Sequence, residues 1–277
     1  MNETDSTVCA YQAPGRARRE LCSAGPFSFP GASSAVRAAA GAGACVLLVA
    51  AACAGVRSGA TGAAAVPAAA ERPVHAGSMT IDRAAREVTV DAEVACNRGW
   101  LEQAVCRAGT REHESLLVIA VPPSRVHAGL LLIGLNPGAP GKWEAGPDGT
   151  AVVRVPPEGD AVEAWVDVAG ARTPLSSWIA DPVRGRAFPA HPWVFAGSRM
   201  RTRPPERGGG EQFVADATGS VVGIVTFGDE VIACREVISD KVDTDAPQWQ
   251  AATDRMPEPG TPVKLVLRPA APARAAP

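Results

Sequence analysis

Lysine is nearly missing from this chain: Lys142, Lys241 and Lys264 are all there is. Arginine supplies the remaining positive charge without forming a stripe, and the formal net charge is -2. Phosphate recognition relies on clustered Lys and Arg that release counterions, so this balance excludes a nucleic-acid partner. Closely spaced cysteines are lacking too. The seven stand at 9, 22, 45, 53, 96, 106 and 234 with no C-x-x-C pair, which removes the local zinc and iron–sulfur motifs. No H-E-x-x-H or H-x-x-x-H spacing gathers histidines, and no G-x-S-x-G elbow presents a nucleophile. Gly208-Gly209-Gly210 lacks the Lys-Ser/Thr that completes a phosphate loop, and Ser198 has no His or Asp at a recognisable offset. No cofactor is implied by any of these patterns, and none of them points to catalysis.

Long hydrophobic runs are also scarce. The longest, Ala38–Ala52, is shorter than the roughly 20 residues a membrane-crossing helix needs. Preceded by Arg37 and followed by Cys53, it fits the apolar region of a secretory signal. Val49-Ala50-Ala51-Ala52-Cys53 resembles a bacterial lipobox, with Ala50 where leucine is usual, which makes Cys53 the expected lipidation site. Stable anchoring takes more than one acyl chain, so Cys53 should carry at least two. The polar residues 1–35 are unusual ahead of a signal, and initiation at Val36 would leave a compact start with Arg37 alone. Residues 1–53 therefore read as an N-terminal extension with a signal or lipoprotein-type segment. Residues 54–77, mostly Ala, Gly, Ser and Pro, read as a disordered tether, because they cannot bury enough apolar surface to offset their ordering entropy. The expected location is the cell envelope, lipid-anchored on the periplasmic or outer side, with the membrane as partner.

What remains, residues 78–269, is long enough for one core, and 270–277 is an Ala/Pro tail. Val88, Val90, Ala92, Val94 and Cys96 alternate with Glu87, Thr89, Asp91 and Glu93, which predicts a strand with one buried and one wet face. Asn97-Arg98-Gly99 predicts a turn into a second strand, Trp100–Cys106. In that hairpin Cys96 lies opposite a residue near Leu101, so a Cys96–Cys106 bridge is not expected, although an oxidising compartment permits one. Leu116–Val121 lacks alternation, as a strand buried on both faces does. Pro122-Pro123 stops it, Ser124 is placed to cap a helix striped by Val126, Leu130 and Ile133, and Gly134 ends that helix. Ala151–Val155 with Ala161–Val168 reads as a further hairpin that puts Trp165 on the polar side, and Glu211–Ala215 with Ser220–Phe227 reads as another. Val263–Leu267 is the closing strand. The resulting fold class is α+β, a mostly antiparallel β-sheet with one short helix packed on it.

The block GTREHESLLVIAVPPSRVHAGLLLIGLNPG, with VTVDAEVAC before it and PWVFAGS, VADATGSVVGIVTFGD and GTPVKLVLRP after it, resembles the YdjY-domain family of bacterial proteins. The resemblance runs from about Ser78 to Pro269. It implies no biochemical activity. A ferredoxin-like description is attached to the family, and such a cluster needs a C-x-x-C-x-x-C run that Cys96, Cys106 and Cys234 do not form.

Candidate functional residues gather before Leu116. Arg111, Glu112, His113 and Glu114 form a polar cluster, and His with a carboxylate can ligate a metal or move a proton. Adjacent strand residues point to opposite faces, so His113 and Glu114 serve one site only if they lie in a turn. The plainer reading pairs Glu114 or Glu112 with Arg111 or Arg125 and braces the entrance to the strand. His127, on the helix, is the further candidate. The expected role is an exported, membrane-tethered binding or structural domain whose ligand is open. The alternative is a metal-binding or redox site built in three dimensions from His113, Glu114, His127, His191 and the cysteines.

Overall fold

The structure, a computed structural model, describes residues 73–146, 149, 151–241, 244 and 249–271. Cys53, the run Ala38–Ala52, most of the 54–77 tether and residues 272–277 lie outside the described residues. No helix among the described residues is long and apolar enough to cross a membrane.

The alternating stretch near the N-terminal end forms Glu87–Val94 (β2), preceded by Met79–Asp82 (β1) and followed by Gln103–Arg107 (β3) and Ser115–Ile119 (β4). After the helix Pro123–Leu132 (α1) come Ala161–Val168 (β5), Ala171–Pro174 (β6) and Trp193–Val194 (β7). The short helix Val214–Thr218 (α2) leads into Ser220–Gly223 (β8), Ile232–Cys234 (β9) and the last strand Pro262–Pro269 (β10). Eight of these strands hydrogen-bond in the order β2-β10-β5-β7-β9-β8-β3-β4, and β4 pairs back onto β2 to close a barrel. β3/β4 and β8/β9 are parallel, and the remaining neighbours are antiparallel. β1, β6 and the two-residue strand Val74–His75 extend the sheet beyond the ring.

Closure depends on β2 sharing one edge between two partners. β1 pairs with Glu87–Val90, β4 takes Ala92–Val94, and the other edge belongs to β10. Buried side chains meet across four of the eight seams: Val88 opposite Leu267, Val90 opposite Leu265, Leu265 opposite Val166, Val105 opposite Val222, and Leu117 opposite Val94. All are at most 1% exposed. An eight-stranded ring is just wide enough for side chains to fill, and each buried Val or Leu contributes about 1.5–3 kcal/mol, so the interior is the core.

The helix α1 packs closely against β2: a Cβ on Gly129 would sit 3.2 Å from Val88 Cγ2. Its start is not capped by Ser124. Pro122 is the N-cap, Pro123 opens the helix, and the Ser124 N–H donates to Asp216 Oδ1 of α2 at 2.8 Å. Gly134, at φ 82°, ends it. The Gly134 and Leu135 amides donate to Leu131 and Leu130, and Arg86 from the β1–β2 turn donates to the Ile133 and Gly134 carbonyls at 2.9 and 3.1 Å.

The expected α+β architecture is therefore wrong. The domain is mostly β, a closed barrel with further strands, and among the described residues helix is confined to α1, α2 and four short 3-10 turns. Three expected hairpins are also replaced by other pairings. β2 does not pair with β3; Val152–Val155 pairs with Lys142–Ala145, and Glu211–Phe213 with Met200–Thr202. Each local pattern contains a strand, although Val214 and Ala215 belong to α2 and the strand expected over Ser220–Phe227 ends at Gly223. Period-2 alternation carries no information about which distant strand is its neighbour.

Candidate functional site

The residues singled out before β4 fall in one 3-10 turn, Glu112–Glu114. Glu112 accepts the Gly109 amide hydrogen and so closes its own turn. Arg111 lies 3.8 Å from Glu102 and stacks 3.9 Å above the Phe227 ring centroid. Glu114 hydrogen-bonds the Glu102 side chain, and His113, with 73% of its side chain exposed, sits 3.6 Å from Glu114. Burial, then the Glu114 hydrogen bond and charge, push the Glu102 carboxyl up to about 7 against the lowering effect of Arg111. His127 belongs to a different neighbourhood. Its ring packs edge-on against Phe195 and Phe213 at 5.0 and 5.4 Å, and burial lowers its pKa. The turn thus brings Arg111 and Glu114 to Glu102, a residue the sequence pattern did not single out, with His113 beside Glu114.

Among the described residues no group of three or more His, Cys, Asp or Glu is arranged to hold a metal ion. Cys96, Cys106 and Cys234 are free thiols. Burial raises the pKa of Cys106 and pushes Cys234 up to about 12, so both stay protonated and unreactive at neutral pH. Ser198 is occupied structurally: its Oγ donates to the Asp229 carbonyl at 2.6 Å and accepts the Ala215 amide at 3.2 Å.

A second buried carboxyl lies under the turn that precedes β9. Glu230 accepts the amides of Phe227, Gly228 and Asp229, and its Cγ packs where a Cβ on Gly223 would come within 2.4 Å. Burial, then the charge of Asp229, raise it to about 7. Only glycine at 223 leaves room for this side chain.

A partly enclosed cavity lies elsewhere, in the barrel wall. One edge of β5 is shared: β7 pairs with Ala161 and Val162, β6 pairs with Trp165–Val168, and between them Glu163 and Ala164 have no strand partner on that edge. A cavity of about 330 Å³ occupies the gap, lined by Val162, Glu163, Ala164, Trp165, Phe188, His191 and Trp193 among others. Its far wall, Ile179–Asp181 with Arg186–Ala187, is fixed by Asp181, whose carboxylate accepts from the Arg184 amide and from the Arg184 and Arg186 guanidinium groups. The walls are therefore preformed.

Glu163 is the acidic group lining this cavity. Its Oε2 accepts from Arg268 Nε at 2.7 Å and from Trp165 Nε1 at 3.3 Å, and the Arg268 guanidinium stands 5.0 Å from the Trp165 ring centroid. Burial alone would raise the carboxyl, but these two donors and the positive charge hold it below the usual carboxylate range. The sequence carried one trace of this place, the alternation that puts Trp165 on the polar face of β5. The cavity itself depends on the β6–β5–β7 register, and Phe188, His191 and Trp193 reach it from a distant loop.

A model of the YdjY domain matches residues 79–268. No curated protein and no solved structure matches the chain.

Proposed function

The chain belongs to the YdjY-domain family, and from that premise we propose that its barrel is a ligand-binding domain of the bacterial cell envelope, with the gap beside Glu163 as its binding site. The observation that carries the binding role is the preformed cavity between β6 and β7, with aromatic walls and an ionised carboxylate. Mostly apolar concavities with a few fixed polar groups are the usual form of small-ligand sites. The Glu102 cluster is read as a brace, since Arg111, Glu112 and Glu114 each have a partner from the surrounding turn or strand.

The envelope location rests on the sequence. Ala38–Ala52 followed by Cys53 supplies the export and lipidation signal, and 54–77 the tether that holds the barrel away from the bilayer. Two measurements test this reading. Intact-mass analysis of membrane-extracted protein should give a species beginning at acylated Cys53; a soluble species that retains residues 1–35 contradicts it. Ligand-observed NMR with a mixture of single-ring fragments should show binding to the full-length protein that Ala187→Trp, a substitution at the exposed rim of the cavity, removes. Binding indifferent to that substitution contradicts the site.

A further inference from the structure

The lining of the wall cavity also restricts what enters it. Both internal donors to Glu163, Arg268 Nε and Trp165 Nε1, bond the same oxygen, Oε2. An ionised carboxylate offers about four lone-pair sites on two oxygens, so with both donors on Oε2 the Glu163 carboxylate, which lines the cavity, retains accepting capacity. The charge there is already balanced. Arg268 neutralises Glu163, while Arg255 at the rim donates to the Ser177 carbonyl and lies 3.8 Å from Asp254. A cationic ligand would meet Arg255 in the lining and find Glu163 already paired with Arg268, and an anionic one would meet Glu163. The remaining surface is apolar and partly aromatic, from Val162, Trp165, Ile179, Phe188 and Trp193. A volume of 330 Å³ is near the lower end for ligand sites and suits one or two rings.

We propose that the cavity takes a neutral ring compound that donates a hydroxyl or amide hydrogen to the Glu163 carboxylate and lays its ring against the aromatic wall. This inference rests on the reading of the gap as a ligand site. A sugar ring and an aryl alcohol or amide share the required chemistry. A hydrogen bond to a charged acceptor contributes enough to make a donor-bearing ligand at least about tenfold tighter than its donor-free counterpart.

The test is titration of full-length protein, followed by NMR, with probes matched in shape: benzyl alcohol as neutral donor, anisole without a donor, benzylamine as cation and benzoate as anion. Methyl glucoside is a second neutral donor, and its affinity relative to benzyl alcohol separates a sugar ring from an aromatic one. Benzyl alcohol or methyl glucoside should bind about tenfold more tightly than anisole, and more tightly than either charged probe. Glu163→Gln, which removes the charge and keeps the shape, should erase that advantage while leaving anisole unchanged. If a charged probe or anisole binds as well as both neutral donors, and Ala187→Trp still blocks it, the ligand class is wrong while the site stands. If no probe binds, or binding ignores Ala187→Trp, the site reading falls and this inference with it.

Discussion

At the scale of single residues the informative groups are those whose surroundings oppose their ordinary chemistry. Glu102 and Glu230 both have carboxyls raised from 4.5 to about 7 in the folded protein. The folded state therefore holds protons that the unfolded chain releases, so their contribution to stability is full below pH 4.5 and is lost as pH rises through about 7. Glu163, held low, works in the opposite sense and only below its ordinary value. Thermal unfolding should thus show a midpoint that declines from mildly acidic pH toward pH 8, and Glu102→Gln should flatten part of the decline. A midpoint that climbs over this range, or a Glu102→Gln profile parallel to the parent, contradicts the assignment. Gln103 is completely buried, and neither its amide oxygen nor its nitrogen has a partner within the protein. Leaving such a group unpaired costs about 1–3 kcal/mol, so Gln103→Met should be neutral or stabilising by about 1 kcal/mol in denaturant melts. A clear loss would mean that the amide is satisfied by bound water. Thiol labelling of native protein, mapped by peptide mass, should modify Cys96 and spare Cys106 and Cys234 until the chain is unfolded.

Elements were the most legible level. The alternation of Val88 to Val94 became β2, the unbroken run after Glu114 became a strand buried on nearly every residue, and Gly134 ended α1 as expected, in the left-handed conformation. Capping was less legible, because it came from elsewhere in the chain: Asp216 supplies the carboxylate at the start of α1 and Arg86 the guanidinium at its end. Arg86 has φ 53°, strained for any residue with a Cβ. Arg86→Ala keeps that strain and removes only the two hydrogen bonds, so the loss it causes, expected at about 1 kcal/mol, isolates the cap. An Arg86→Ala protein as stable as the parent would show that α1 is held by its packing on Val88 alone.

At the scale of the whole molecule the sequence is silent on the feature that matters most. Nothing local in Val263 to Leu267 announces that it lies between Glu87–Val94 and Ala161–Val168, nor that β4 returns to the free half of β2's edge. A helix following a strand with no alternation suggested a layered sheet, whereas that strand, buried on both faces, is part of a closed barrel. The gap in the wall follows from the same non-local register: β6 and β7 approach one edge of β5 from opposite ends and leave Glu163 and Ala164 between them. The charged residues Arg111–Glu114, conspicuous in the sequence, fall at a 3-10 turn that leads into β4. The most direct measurement is an amide chemical-shift map of the full-length protein titrated with benzyl alcohol. Perturbations should cluster on Glu163, Ala164, Trp165, Ser176 and His191; perturbations centred on Arg111 to Glu114, with the wall gap unmoved, would contradict the account.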